Sequence, residues 1–290
     1  MDSDANEVLI FDDSVSDRPL RIRNNKRFLI LGVCCFGIVF VIGAAVSRTQ
    51  DVFVRNADVD NYKRADSDIL NKSDTLVFVT YGQSNADCCG QPGYTVKYPS
   101  HVFQYFNGDV YAMKEPMLGA VCRGGCLWSR VGDMLASHFA FTRSIVFSSA
   151  AVPGFPIRWL LPSTAAGQYF TETLSQLPTA IVLFQQGETD ALYHTSPGEY
   201  SAMLTNVSKS VSYGRFLVGV GTRCNFIHTA PDIANVQRQF SNGPDLDMLG
   251  NAFRAPDMCH FSYSGLDKAA ALWTSAIVKY LKNVTPKQSL

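Results

Sequence analysis

The stretch Thr75-Leu-Val-Phe-Val-Thr-Tyr-Gly-Gln-Ser-Asn-Ala-Asp87 decides the fold. Residues 75–80 are β-branched or apolar and do not alternate with charged residues, the pattern of a short parallel strand buried on both faces. Gly82 stops the strand, and a small, polar turn follows with Ser84 in its middle. In an open α/β sheet the ligand crevice lies at the carboxyl ends of the strands. A hydroxyl on this turn is therefore placed to face such a crevice. The same residues also suit an ordinary strand-to-helix turn capped by Ser84, and two later stretches choose between the readings.

Downstream, strands alternate with helical patterns. Residues 144–149 (SIVFSS), 179–185 (TAIVLFQ) and 215–221 (RFLVGVG) read as further strands. Helical spacing runs over 128–141, where His138 falls on an apolar stripe and is expected to face the core or cap the helix. It recurs over 197–211, with Pro197 in the first turn, and over 263–282. In the last, Leu266, Ala269, Ala270, Trp273, Ala276, Ile277, Tyr280 and Leu281 form one stripe, and Ser264 with Asp267 has capping-box spacing. Between Ser84 and the first helix, residues 86–126 read as a long loop rich in Gly, Tyr, Pro and Cys. Alternating strands and helices predict an α/β fold, a three-layer α/β/α sandwich with a mostly parallel sheet.

The amino-terminal part has a different composition. Residues 1–27 are polar, acidic at first and then basic (Arg18, Arg21, Arg23, Lys26, Arg27), and residues 28–47 carry no charge. Twenty apolar residues make a helix about 30 Å long, enough to span a bilayer. The flanking basic residues put the amino terminus in the cytosol, and the long charged leader favours an uncleaved signal anchor over a cleaved signal peptide. The expected organisation is a cytosolic tail (1–27), a transmembrane anchor (28–47), a stem (48–73), a catalytic domain (74–283) and a tail (284–290), with the domain luminal or extracellular. Sequons at Asn71, Asn206 and Asn283 agree with that side of the membrane. The 25 basic and 25 acidic residues cancel, which leaves no electrostatic footprint for nucleic acid.

Six cysteines lie outside the apolar run: Cys88, Cys89, Cys122, Cys126, Cys224 and Cys259. An even number in an oxidising compartment predicts disulfides, and six cysteines allow fifteen pairings. A zinc site from Cys88, Cys89, Cys122 and Cys126 is the lesser alternative, because adjacent cysteines are poor ligand spacing.

Three strand ends deliver polar residues to one sheet edge: Ser84, the Pro153-Gly154 turn, and Gln186-Gly-Glu-Thr-Asp190. A fourth segment, Asp257-Met-Cys-His260, precedes the last helix. Asp and His three residues apart can meet within one turn of chain. The carboxylate then accepts the imidazole Nδ1–H and leaves Nε2 to activate a serine. Among the five histidines, His101, His194 and His228 lie in predicted loops without an Asp at useful spacing.

In their order and spacing, Gly82-Gln-Ser-Asn85, Val152-Pro-Gly154, Gln186-Gly-Glu-Thr-Asp190 and Asp257-Met-Cys-His260-Phe resemble the signature blocks of the SGNH hydrolase superfamily. The branch is that of the sialate O-acetylesterase-like domain, which is similar to the acetyl xylan esterases of carbohydrate esterase family six. The resemblance runs from Thr75 to the last helix. It implies a flavodoxin-like fold and a carbohydrate O-acetylesterase working without metal or organic cofactor on an acetylated glycan. Ser84 would be the nucleophile, His260 the base and then acid, and Asp257 its orienting carboxylate. The oxyanion would meet the N–H groups of Ser84 and Gly154, with Gln186 supplying the amide because Thr189 stands where the family often has Asn. Asn85, Glu188 and Arg158 are candidate substrate contacts, Glu188 and Asp190 having loop-fixing as their default role. Tyr105, Phe106, Phe155 and Trp159 are candidate sugar-stacking rings or core residues. The sequence departs from the pattern at Ala86-Asp87-Cys88-Cys89, where Met and a Gly-rich run are expected, and at Pro153. A carbohydrate O-acyltransferase on the same triad and a catalytically silent glycan-binding membrane protein are the alternatives.

Overall fold

The structure, a computed structural model, describes residues 55–211, 214–224, 230–240 and 242–284. The chain divides into a unit of residues 1–46 and a unit of residues 47–290, and every described residue belongs to the second. The apolar run at 28–47, the cytosolic tail and His228 lie outside the described residues. Among these, no helix is long and apolar enough to cross a membrane.

Six strands form one sheet: β1 Thr75–Gly82, β2 Val102–Phe106, β3 Asp109–Ala112, β4 Ser144–Ser149, β5 Ile181–Gln186 and β6 Phe216–Val220. Their order is β3-β2-β4-β1-β5-β6. All neighbours are parallel except the β2–β3 hairpin at the edge. The six described α-helices are α1 Leu127–His138, α2 Ala165–Gln176, α3 Glu188–Leu192, α4 Pro197–Ser208, α5 Pro231–Gln239 and α6 Tyr263–Val284.

The strands read as continuous apolar runs because each has two buried faces, and alternate residues serve opposite layers. Leu76 and Phe78 of β1 pack with Phe147, Leu183 and Leu217 under α1 and α6. Val77, Val79 and Tyr81 pack with Val146, Phe184 and Val218 under α2, α4 and α5. Trp128 and Trp273, both fully buried, meet edge to face at 5.5 Å and join α1 to α6. Such a pair adds about 0.5–1.5 kcal/mol beyond the area it buries.

Four expectations change. Residues 86–126 are not one loop, because they contain the β2–β3 hairpin; β2 lies between β3 and β4, is buried throughout, and so lacks the polar alternation of an exposed hairpin. Residues 55–73 do not stand off as a stem. Asn56 is buried, Ala65 N–H donates to Val110 O, and Ala112 N–H donates to Lys63 O, so this segment covers the hairpin. His138 is exposed at the end of α1. At the last helix Ser262, not Ser264, accepts the Gly265 N–H, and Asp267 pairs with Arg130 instead.

The sheet positions the site through one close approach. β1 lies between β4 and β5, and the chain leaves it toward β4 before crossing to β5. A crevice opens where the order reverses. At its rim Gly82 has φ +133°, and a Cβ there would stand 2.0 Å from Gln185 O. Both conditions demand glycine. Gly82→Ala should therefore cost roughly 3 kcal/mol or more. Gly198 in α4, where a Cβ would meet nothing within 4 Å, should tolerate alanine with a gain of about 0.5 kcal/mol. Thermal melts of both variants check this, and a Gly82→Ala protein melting like wild type would contradict the close approach.

Candidate active site

The turn after β1 is held from its backbone outward. Gln83 N–H donates to Gln185 O at 3.1 Å, and the N–H groups of Ala86 and Asp87 return to Gln83 O. Ser84 sits at the centre of this turn and is 5 % exposed. Its N–H takes no protein acceptor among the described residues, and neither does that of Gly154. Gly154 stands on the loop after β4 with φ +74°, exposed and with open space where a Cβ would be. Val152 N–H donates to Gly82 O at 2.9 Å and ties that loop to the serine turn.

The side chain of Gln83 joins the turn to the segment after β5. Its Oε1 accepts from Gln186 Nε2 at 3.2 Å and from Thr189 N–H at 3.2 Å. The Gln186 amide is fully buried. Nε2 also donates to the Asp190 carboxylate and to Phe155 O (3.2 Å), while Oε1 accepts from Tyr200 Oη at 2.8 Å. Gln186 thus bridges the two loops that carry the Ser84 and Gly154 N–H groups. Asp190 Oδ2 also accepts from Ile157 N–H (2.7 Å), and Oδ1 accepts from Thr195 Oγ1 (2.8 Å). Burial raises its pKa against those bonds.

Asn85 and Glu188 are buried at 4 % and 1 % exposure, and Asn85 Nδ2 donates to Glu188 Oε1 at 2.7 Å. That bond pairs one polar atom of each side chain, and burial raises the Glu188 pKa. Tyr105 and Phe106 belong to the core. Trp159 and Arg158 are exposed beside Gly154. Phe155 and Trp159 meet at 5.0 Å, and the Arg158 guanidinium lies over the rings of Trp159 (5.4 Å) and Tyr193 (5.3 Å).

Asp257 and His260 come from a short hairpin between residues 254 and 261. Asp257 Oδ2 lies 2.6 Å from His260 Nδ1, and Oδ1 accepts the N–H groups of Cys259 and His260 at 3.0 Å each. Burial alone would raise the Asp257 pKa. The Cys259 N–H, the imidazole and the His260 N–H together outweigh it and hold the carboxyl below its ordinary range. His260 keeps 28 % of its side chain exposed. The hairpin reaches the serine turn through Asn85 Nδ2, which donates to Cys259 O at 3.3 Å. The neighbour of Ser84 therefore touches the neighbour of His260.

Disulfides Cys88–Cys126 and Cys89–Cys122 fasten the chain just after the serine turn, and Cys224–Cys259 fastens the histidine hairpin to the loop after β6. The pairing consumes the thiolates that a zinc site at the first four cysteines needs.

Sequence reading missed Gln83, Asp87, Tyr200, Gln237 and Arg254 as site-builders. Only Gln83 carried a signal, being inside the serine block. Gln237 Nε2 donates to Tyr200 Oη (2.8 Å) and to Gln186 O, a partner 51 positions away that no local pattern indicates.

No protein-family model and no curated protein matches the chain. Solved structures do. A protein of Arabidopsis thaliana is 13 % identical over 72 % of this chain and 98 % of its own, with a TM-score of 0.53. NanS is 15 % identical over 72 % and 98 %, at 0.48, and a family 3 carbohydrate esterase of Clostridium thermocellum is 12 % identical over 72 % and 98 %, at 0.45. The first likeness shows a shared fold; the other two establish nothing further.

Asp87 anchors the carboxyl end of the serine turn. It is 2 % exposed and accepts from Cys122 N–H (2.7 Å), Val121 N–H (3.0 Å) and Ser149 Oγ (3.2 Å). Burial, only partly offset by these bonds and by Arg55, pushes its pKa up to about 6 from 3.8. The folded state then keeps a proton that the unfolded chain has lost. Stability contributed at this site is greatest below the unfolded value and falls as pH rises through the window to about 6. Asp87→Asn has no such proton. The stability difference between wild type and this variant should shift by roughly 2 kcal/mol between about pH 4 and about pH 7. Urea melts across that range measure it, and parallel stability curves would contradict the burial argument.

Proposed function

We propose that this protein is a serine esterase that removes O-acetyl groups from carbohydrate, with Ser84 as nucleophile. The observation that carries the reading is the Asp257–His260 pair, held beside the serine turn by the Asn85 hydrogen bond to Cys259 O. Asp257 accepts the Nδ1 proton, so Nε2 is the nitrogen left to take the Ser84 proton. Attack on the acetyl carbonyl places negative charge on its oxygen. The free N–H groups of Ser84 and Gly154 are the donors for that charge. Gln186 sets the spacing of these two loops and serves as third donor, through the amide hydrogen now shared by two oxygens at 3.2 Å. His260 then gives its proton to the departing sugar oxygen, and a water activated by the same nitrogen hydrolyses the acetyl-enzyme.

The carbohydrate class is supported by the exposed rings of Trp159 and Tyr193 with Arg158 between them, on the segment after Gly154 and at the end of α3. Arg158 is proposed as a substrate contact, whereas Glu188 and Asn85 hold the loops. The proposed reaction needs neither metal nor organic cofactor. The three disulfides suit an oxidising compartment. With the apolar run at 28–47, they support a single-pass anchor and a luminal or extracellular domain.

Turnover of an acetyl ester by purified variants tests the triad. Ser84→Ala and His260→Ala should each lower kcat by roughly 10⁵-fold or more, with the double variant little worse than either, because the two act as a unit. Asp257→Asn should lose about tenfold to a hundredfold less. Near-wild-type turnover by folded Ser84→Ala would sink the mechanism.

Topology has its own test. Asn71, Asn206 and Asn283 are all exposed. Expressed in eukaryotic cells, the protein should gain gel mobility after endoglycosidase treatment. Unchanged mobility would count against luminal placement.

A further inference from the structure

Resting on the triad reading above, we infer that Arg254 and Asn85 are positioning residues that clamp the carbonyl of Cys259 and so set where His260 stands relative to Ser84. Cys259 O accepts from Arg254 Nη1 at 2.8 Å and from Asn85 Nδ2 at 3.3 Å. Arg254 thereby grips the residue before His260. Its guanidinium also lies over the ring of Phe261, the residue after His260, at 4.2 Å to the centroid. Arg254 and Phe261 pair as an isolated antiparallel bridge, and Ala255 N–H donates to His260 O at 2.8 Å. The Cys224–Cys259 disulfide is a third hold on the same residue. Every one of these contacts falls on the backbone or on a flank of His260, which leaves the imidazole partly exposed and free for chemistry.

The other end of the clamp is the nucleophile. Asn85 follows Ser84 directly, so one carbonyl links the chain at the serine to the chain at the histidine. Asn85 is itself fixed by Glu188. The arrangement is not one that stability alone explains. Arg254 Nε, Asn85 Oδ1 and Glu188 Oε2 are all buried without a hydrogen-bond partner. Leaving a buried polar atom unpaired costs about 1–3 kcal/mol, and folds keep few such atoms. Three of them, on the two residues that grip this carbonyl and on the Glu188 that fixes Asn85, mark a place where position has been kept at the expense of stability.

Serine-directed phosphonylation separates geometry from folding. A fluorophosphonate forms a bond to Ser84 Oγ and expels fluoride, while His260 takes the hydroxyl proton. Its rate follows the serine–imidazole geometry, and its end point counts folded sites. Full-length wild type, Arg254→Ala, Arg254→Lys and Asn85→Ala are labelled and also assayed on p-nitrophenyl acetate. Arg254→Ala and Asn85→Ala should label to full stoichiometry about 10- to 100-fold more slowly, with kcat lowered in step and KM little changed, as expected for misplacement of the order of 1 Å. Arg254→Lys keeps the charge but not the planar group, and should fall between. If Arg254→Ala does not fold, Arg254→Lys and Asn85→Ala decide the matter. Wild-type labelling rates in folded variants would overturn the clamp and leave the triad standing. Failure of wild type to label at Ser84 would remove the triad and the clamp with it.

Discussion

The structure depends on one steric constraint, the contact of Gly82 with the backbone of Gln185. No residue with a Cβ fits there, at 2.0 Å from a carbonyl oxygen and at φ +133°. Because β1 and β5 close to that distance at their carboxyl ends, Gln83 can reach across and bind the segment after β5 with a single oxygen. The serine turn and the Gln186–Asp190 segment then form one rigid rim. A serine on a mobile loop would have to be ordered each time substrate arrived, and binding free energy would be consumed in ordering it. Here the turn is already fixed by folding.

The rim is built from polar side chains that are almost wholly buried. Gln83, Asn85, Gln186, Glu188 and Asp190 share hydrogen bonds among β1, β4 and β5, and burial raises the pKa of both carboxyl groups. The opposite holds for Asp257. It sits at the surface, is held below its ordinary range, and faces the one histidine with a carboxylate partner among the described residues. Carboxyl groups of one chain are thus sorted by environment, some to hold loops and one to hold charge beside an imidazole.

Disulfides do for this site what the sheet cannot. Residues 86–126 leave the serine turn as a long excursion before α1, and the histidine hairpin lies between β6 and α6. Both are joined to neighbouring strand ends by cysteines more than thirty positions apart. Cross-links over such loops restrict the unfolded chain and add about 3–4 kcal/mol each in the loop-entropy picture.

Strong local periodicity made much of this legible in advance. The strand at 144–149, the serine turn and the start of the last helix were readable because buried parallel strands and amphipathic helices announce themselves over five to twenty residues. So was the Asp257–His260 contact, since three residues suffice to close it. The β2–β3 hairpin was not legible, because its residues are buried by the segment 55–73 and lose the alternation that marks an exposed hairpin. The disulfide pairing was open among fifteen choices until the strands brought Cys88 to Cys126 and Cys224 to Cys259. The partners of Gln83, and those of Gln186 apart from Asp190, lie on other elements, as far as 106 positions away, and no local pattern encodes them. Sequence by itself determined which residue types stand at the strand ends and in what order. Only the tertiary structure decided which of them meet, because that depends on how closely β1 and β5 can approach and on which loops the sheet then brings to the same edge.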